Sequence, residues 1–146
     1  MAFDRHDRPL ACLLFGSAAW KCASRDEFIG WDTGARASNV NLLTNNTRFL
    51  ILPWVEVPHL ASYVLSRIAR RIRSDWEGRY NHPVWMLETF VERDRFAGTC
   101  YRAANWTWVG ATRGRSRNDA HLTMSVPVKD VYVYPLSSKF REELRA

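Results

Sequence analysis

Between Leu60 and Trp76 apolar residues recur every three or four positions, as Leu60, Val64, Leu65, Ile68, Ile72 and Trp76, while Arg67, Arg70, Arg71 and Arg73 occupy the other faces. That period makes an amphipathic helix from His59 to about Tyr80, and such a helix is stable only when its apolar stripe is covered by something else. Pro58 suits the first turn, and Gly78, Asn81 and Pro83 mark the exit. The cover is expected just upstream. Phe49-Leu-Ile-Leu-Pro-Trp-Val55 is a dense apolar run, too short for a typical helix and interrupted by Pro53. It reads as a buried strand at the centre of a sheet, with a bulge or an end near the proline.

The remaining segments supply the rest of that sheet. Ala2-Phe-Asp4 and Pro9 to Gly16 flank a polar turn and predict a hairpin. Ser24 to Asn46 alternates caps and turn formers with short apolar clusters, which predicts one or two short helices. Val84 to Val91 predicts a second apolar strand, Phe96 to about Asn105 a short helix, Trp106 to Gly110 another strand and Val128 to Tyr134 a last one. Arg113 to Asp119 reads as a charged loop. This order indicates an α+β (mixed α/β) domain on one sheet, and 146 residues suit a single domain spanning 1–146.

The 21 Lys and Arg exceed the 15 Asp and Glu, giving a formal net charge of +6, so an anionic partner such as a phosphate, a cofactor or a nucleic acid is electrostatically allowed. Only Lys21, Lys129 and Lys139 of those cations are lysines. Cys12, Cys22 and Cys100 form an odd set without a C-x-x-C pair, which excludes a disulfide framework and a zinc ribbon and suits a reduced, cytoplasmic setting. The longest strongly apolar stretch without charge, Phe49 to Val55, is far short of the ~20 residues that span a bilayer. Leu10 to Ala19 has the apolar core and small-residue end of a signal peptide, but Asp4 and Asp7 among the preceding arginines oppose that reading.

Specific blocks carry a family resemblance: Leu13-Leu-Phe-Gly-Ser-Ala-Ala-Trp20, Arg25-Asp-Glu-Phe-Ile-Gly-Trp31, Asn46-Thr-Arg-Phe-Leu-Ile-Leu-Pro53, His59-Leu-Ala-Ser62, Glu88-Thr-Phe-Val91 and Gly98-Thr-Cys-Tyr-Arg-Ala-Ala-Asn-Trp106. They resemble the DruA-type domain of the Druantia anti-phage system, whose relatives also occur with bacterial transposases. The likeness spans nearly the whole chain and implies that an upstream segment of longer relatives is absent. It sets the chain in a phage-defence or mobile-element context without naming a reaction.

A more distant resemblance is to the GNAT superfamily of acyl-CoA N-acyltransferases, in which a central strand leads into a long helix whose first amides hold the CoA pyrophosphate. It implies a mostly antiparallel central sheet with a long amphipathic helix and a short second one. It also implies acetyl-CoA or another acyl-CoA as cofactor, held at His59, Leu60, Ala61 and Ser62. Ala61 fits the family's phosphate loop, whereas Glu56, Pro58 and His59 stand where a cation or amide, an N–H donor and a glycine would serve a pyrophosphate. Phe96-Ala-Gly-Thr-Cys-Tyr101 is similar to the family's short helix, which makes Tyr101 the general acid for the departing thiolate.

Glu56 and Glu88 follow or sit within the two strands that would part around such a substrate, so either could take a proton from an amine. Within an apolar run, Glu88 needs a partner or a shifted pKa, and a buried ion pair with Arg48 or Arg102 is the structural alternative. His59 is a candidate base or a helix-start residue. His6, His82 and His121 lack metal-ligand spacing, and no metal is assigned. Thr112-Arg-Gly-Arg-Ser-Arg-Asn118 places Arg113, Arg115 and Arg117 at alternate positions, suited to phosphate forks or to a solvated loop. With the helix arginines it could build a basic face for DNA or RNA, and this is the competing function: a non-catalytic module that binds nucleic acid or a defence or transposase protein. Trp31, Trp54, Trp106 and Trp108 could then stack on bases, although tryptophans in apolar runs usually belong to the core.

Overall fold

The computed structural model describes residues 1–112 and 127–146, so Arg113, Arg115, Arg117 and His121 lie outside the described residues. Six strands form one sheet in the order β1-β2-β3-β4-β6-β5, with β1 Ala2–Phe3, β2 Pro9–Ser17, β3 Leu43–Ile51, β4 Met86–Glu92, β5 Thr107–Ala111 and β6 Lys129–Pro135. Four neighbouring pairs are antiparallel; β3 and β4 are parallel, joined by the long helix α3, Leu60–Tyr80. Helices α1, Ala23–Ile29, and α2, Thr33–Asn39, follow β2; α4, Thr99–Ala103, follows β4; and α5, Phe140–Arg145, closes the chain. Asp32 caps α2 by accepting from the Ala35 amide at 2.7 Å.

Strand alternation makes two cores, one on each face. Leu87 and Val91 of β4 and Tyr132 of β6 pack with Leu65 and Ile72 of α3 and Tyr101 of α4. Met86 and Val133 face the opposite way, against Ile29 of α1, Trp31, and Phe140 and Leu144 of α5. Among the described residues no helix is long and apolar enough to cross a membrane, and no three His, Cys, Asp or Glu side chains gather as metal ligands.

The expected mixed α/β architecture, with its mostly antiparallel sheet and one long helix, is present. The strand expected over Phe49 to Val55, with an end near the proline, is present within the sheet and ends at Ile51, leaving Pro53 and Trp54 exposed, but its start is corrected: β3 begins six residues earlier, at Leu43. Its first half, Thr44-Asn45-Asn46-Thr47, carries polar side chains that suggest a turn in isolation. They are bonded across the sheet: Thr44 Oγ1 donates to Gly16 O at 2.8 Å, and Asn46 Nδ2 to Leu14 O at 3.0 Å. The helix expected over Phe96 to Asn105 shrinks to Thr99–Ala103, because Gly98 starts it from a left-handed φ of 70°. Helix α5 was not expected, since six residues carry too little periodicity to read. Trp31 and Trp106 are buried, as expected of core tryptophans, whereas Trp54 and Trp108 are exposed.

Candidate active site

The parallel pairing of β3 with β4 lasts for three partners, Leu43 with Met86, Thr44 with Leu87 and Asn45 with Glu88. Beyond Asn45 the strands part. The register of β3 against β2 also slips here: Phe15 pairs with Asn46 and Leu14 with Arg48, so Thr47 is an extra residue in the bulged strand. A bulge bends its strand and raises the twist, which carries β3 away from β4.

Side chains take over at the apex of the resulting V. Thr89 Oγ1 donates to the backbone oxygen of Asn46 at 2.9 Å, satisfying a carbonyl that has lost its ladder partner. The Tyr101 hydroxyl donates to Asn46 Oδ1 at 2.6 Å and lies 3.5 Å from Thr89 Oγ1. One phenol from α4 therefore meets both parted strands. Burial pushes its pKa up to about 12, against a smaller lowering by Thr89, so the phenol stays protonated through the neutral range and can lend a proton.

The V encloses an open cleft of about 1150 Å³. Asn46, Thr89 and Tyr101 line it, as does Ala61 at the start of α3, and Arg48 and Lys129 add positive charge. Glu92, at the end of β4, also lines it, 3.7 Å from Arg95. Sequence reasoning passed over Glu92, although it stands four residues from Glu88 where the apolar run ends.

The phosphate-loop candidates divide. His59 is exposed and left-handed, with φ of 59°, at the start of α3. The Leu60 amide is taken by Val57 O at 3.3 Å, and the Ser62 hydroxyl turns back to His59 O at 3.1 Å. The amides of Ala61 and Ser62 have no backbone acceptor in this turn, and of the four candidates Ala61 is the one on the cleft. Glu56 is exposed on the β3–α3 connection and does not line the cleft.

Glu88 is fully buried, and its partner is Arg25 rather than Arg48 or Arg102. Arg25 Nη1 donates to Oε1 at 2.7 Å, while Asn45 Nδ2 and the Ala19 amide donate to Oε2 at 2.9 and 3.2 Å. Both oxygens are occupied. The Arg25 guanidinium, also buried, donates to Asp26 Oδ1 and Ala19 O as well. Desolvation weakens its hold on the proton, but Glu88 and Asp26 outweigh that and raise its pKa. The cluster locks α1 and the β2–α1 connection against β4, directly behind the apex of the V.

Gly98, also on the cleft, is required both by its backbone and by space. A Cβ there would stand 2.6 Å from the Tyr132 hydroxyl. Gly98→Ala combines a left-handed φ with that clash and is expected to cost about 1–3 kcal/mol of stability, read from urea unfolding. A cost within error of zero would mean that α4 can start from another backbone conformation.

The family model of the Druantia protein DruA matches residues 1–123. No curated protein matches the chain. Among solved structures, the chain is similar to one titled "putative acetyltransferase" from Sphaerobacter thermophilus, at 12% identity and a TM-score of 0.35, over 64% of this chain and 54% of that one. The chain thus spans about half the length of that protein.

Proposed function

We propose that this chain, which belongs to the Druantia DruA family, works in phage defence or on a mobile element as an N-acyltransferase-like domain that binds an acyl-CoA in its cleft. The observation that carries the reading is the V between β3 and β4, with a protonated phenol bonded across its apex. An extended thioester arm laid along a parted strand could take the β3 and β4 backbone groups that no longer pair. Phosphates at its far end suit Arg48, Lys129 and the free amides at the start of α3.

In the transfer, an amine attacks the thioester carbonyl, the C–S bond breaks, and Tyr101 gives its proton to the leaving thiolate. The proton released by the amine passes to a carboxylate and from there through water back to the phenolate. We assign that role to Glu92, which lines the cleft, whereas Glu88 has both oxygens engaged behind it and Glu56 stands outside it.

The direct test is calorimetric titration of acetyl-CoA into the protein, with Ala61→Glu beside it. Micromolar binding is expected, and the added carboxylate at the first turn of α3 should weaken it by about tenfold or more through charge repulsion. An absence of heat at millimolar acetyl-CoA, or an Ala61→Glu variant that binds as well as the parent, overturns the reading.

A further inference from the structure

The geometry points to a second site: a groove along the last turns of α3 that holds single-stranded nucleic acid. The inner stripe of α3 is apolar through Leu65, Ile68 and Ile72, yet its next positions are Asp75, Trp76 and Arg79. A stripe that turns charged and aromatic is no longer core. It leaves a groove of about 300 Å³, floored by Phe15 and Ile68, flanked by Trp76 and Tyr80, and bordered by Arg71, Asp75 and Arg79. The groove shares no lining residue with the cleft between β3 and β4.

Its chemistry selects the occupant. Trp76 and Tyr80 stand with ring centres 4.6 Å apart and tilted by 47°, and Tyr80 is half exposed, so an aromatic face is open to stacking. The Trp76 indole N–H is buried without an acceptor among the described residues, so it is the Tyr80 ring that meets a ligand. Helix α3 carries five arginines against Asp75 and Glu77. Arg71 is paired with Asp75 at 2.7 Å and Arg73 lies 4.4 Å over the Trp85 ring. Arg67, Arg70 and Arg79 are exposed, and none has a carboxylate within ion-pair distance among the described residues.

Of these three only Arg79 lines the groove, and an aromatic face set beside it, on a chain of net charge +6, matches a polymer of bases and phosphates. A protein partner would favour a surface whose centre is depleted of charge. The groove's volume is at the lower end for a small-molecule site, enough for about one base at a time. Duplex bases are stacked on each other and offer no face to Tyr80, which selects a single strand.

Fluorescence anisotropy with a short labelled oligothymidylate, and with a duplex of equal length, tests this on the whole protein. The single strand is expected to bind more tightly than the duplex, with log K falling linearly against log salt. Tyr80→Ala should weaken it by about tenfold, and Arg79→Gln should lower the salt slope by about 0.7. Arg5→Gln, an equal charge change on the exposed β1–β2 turn, should leave both within error. Equal affinity for duplex or for polyglutamate, an Arg5→Gln effect as large as that of Arg79→Gln, or no binding at low salt overturns the proposal. The wild-type comparison of strand and duplex stands even if a variant fails to fold.

Discussion

Glu88→Ala should remove about 3–5 kcal/mol of folding stability, the cost of leaving a buried charge without its partner. The orphan would be the Arg25 guanidinium, which is inaccessible to solvent and keeps, among the described residues, Asp26 and the backbone oxygens of Ala19 and Trp20 as acceptors. Asn45 Nδ2 and the Ala19 amide lose their acceptor in the same step. Against a total of about 5–15 kcal/mol for a domain of this size, that loss should leave much of the chain unfolded in moderate urea. Replacing both partners, Arg25→Met with Glu88→Met, should recover a large part of the loss, because no charge is left stranded. Urea unfolding monitored by tryptophan fluorescence reads all three proteins. A cost below about 1 kcal/mol for Glu88→Ala would match an exposed pair and contradict the burial of Arg25 and Glu88.

Tyr101→Phe carries the second large effect, this time on turnover. If the phenol protonates the leaving thiolate, removing it should slow transfer from acetyl-CoA to an amine by about 10²-fold or more while leaving the dissociation constant for acetyl-CoA nearly unchanged. The same change strips Asn46 Oδ1 of its donor and should cost about 1–3 kcal/mol of stability. Measuring both separates the roles: lost stability with unchanged turnover makes Tyr101 a strut that holds the parted strands, whereas lost turnover at unchanged affinity makes it the acid. Comparing the variants at equal folded fraction keeps the two readouts apart.

Residues close in sequence determined a large share of this protein. The spacing of Leu60, Val64, Leu65, Ile68 and Ile72 was enough to predict α3 and its buried stripe, because a helix brings together residues three and four apart. The apolar and β-branched runs of β2, β4 and β6 were legible for the similar reason that alternation decides which side chains a strand buries. Tyr101 and Ala61 could be named from the likeness of their segments, and both line the cleft.

What only the tertiary structure decided depends on contacts between distant segments. The polar start of β3 is a strand because Gly16, Leu14 and Glu88 satisfy its side chains, and no local propensity records that. The partner of Glu88 is Arg25, 63 positions away, and not Arg48 or Arg102, the cations that the sequence suggests. The bulge at Thr47 and the parting of β3 from β4 follow from how three strands fit together, and so does the placing of Glu92 on the cleft. A sequence records which groups need a partner; the packed chain selects the partner, because burial makes an unpaired polar group costly and leaves few geometries that satisfy them all.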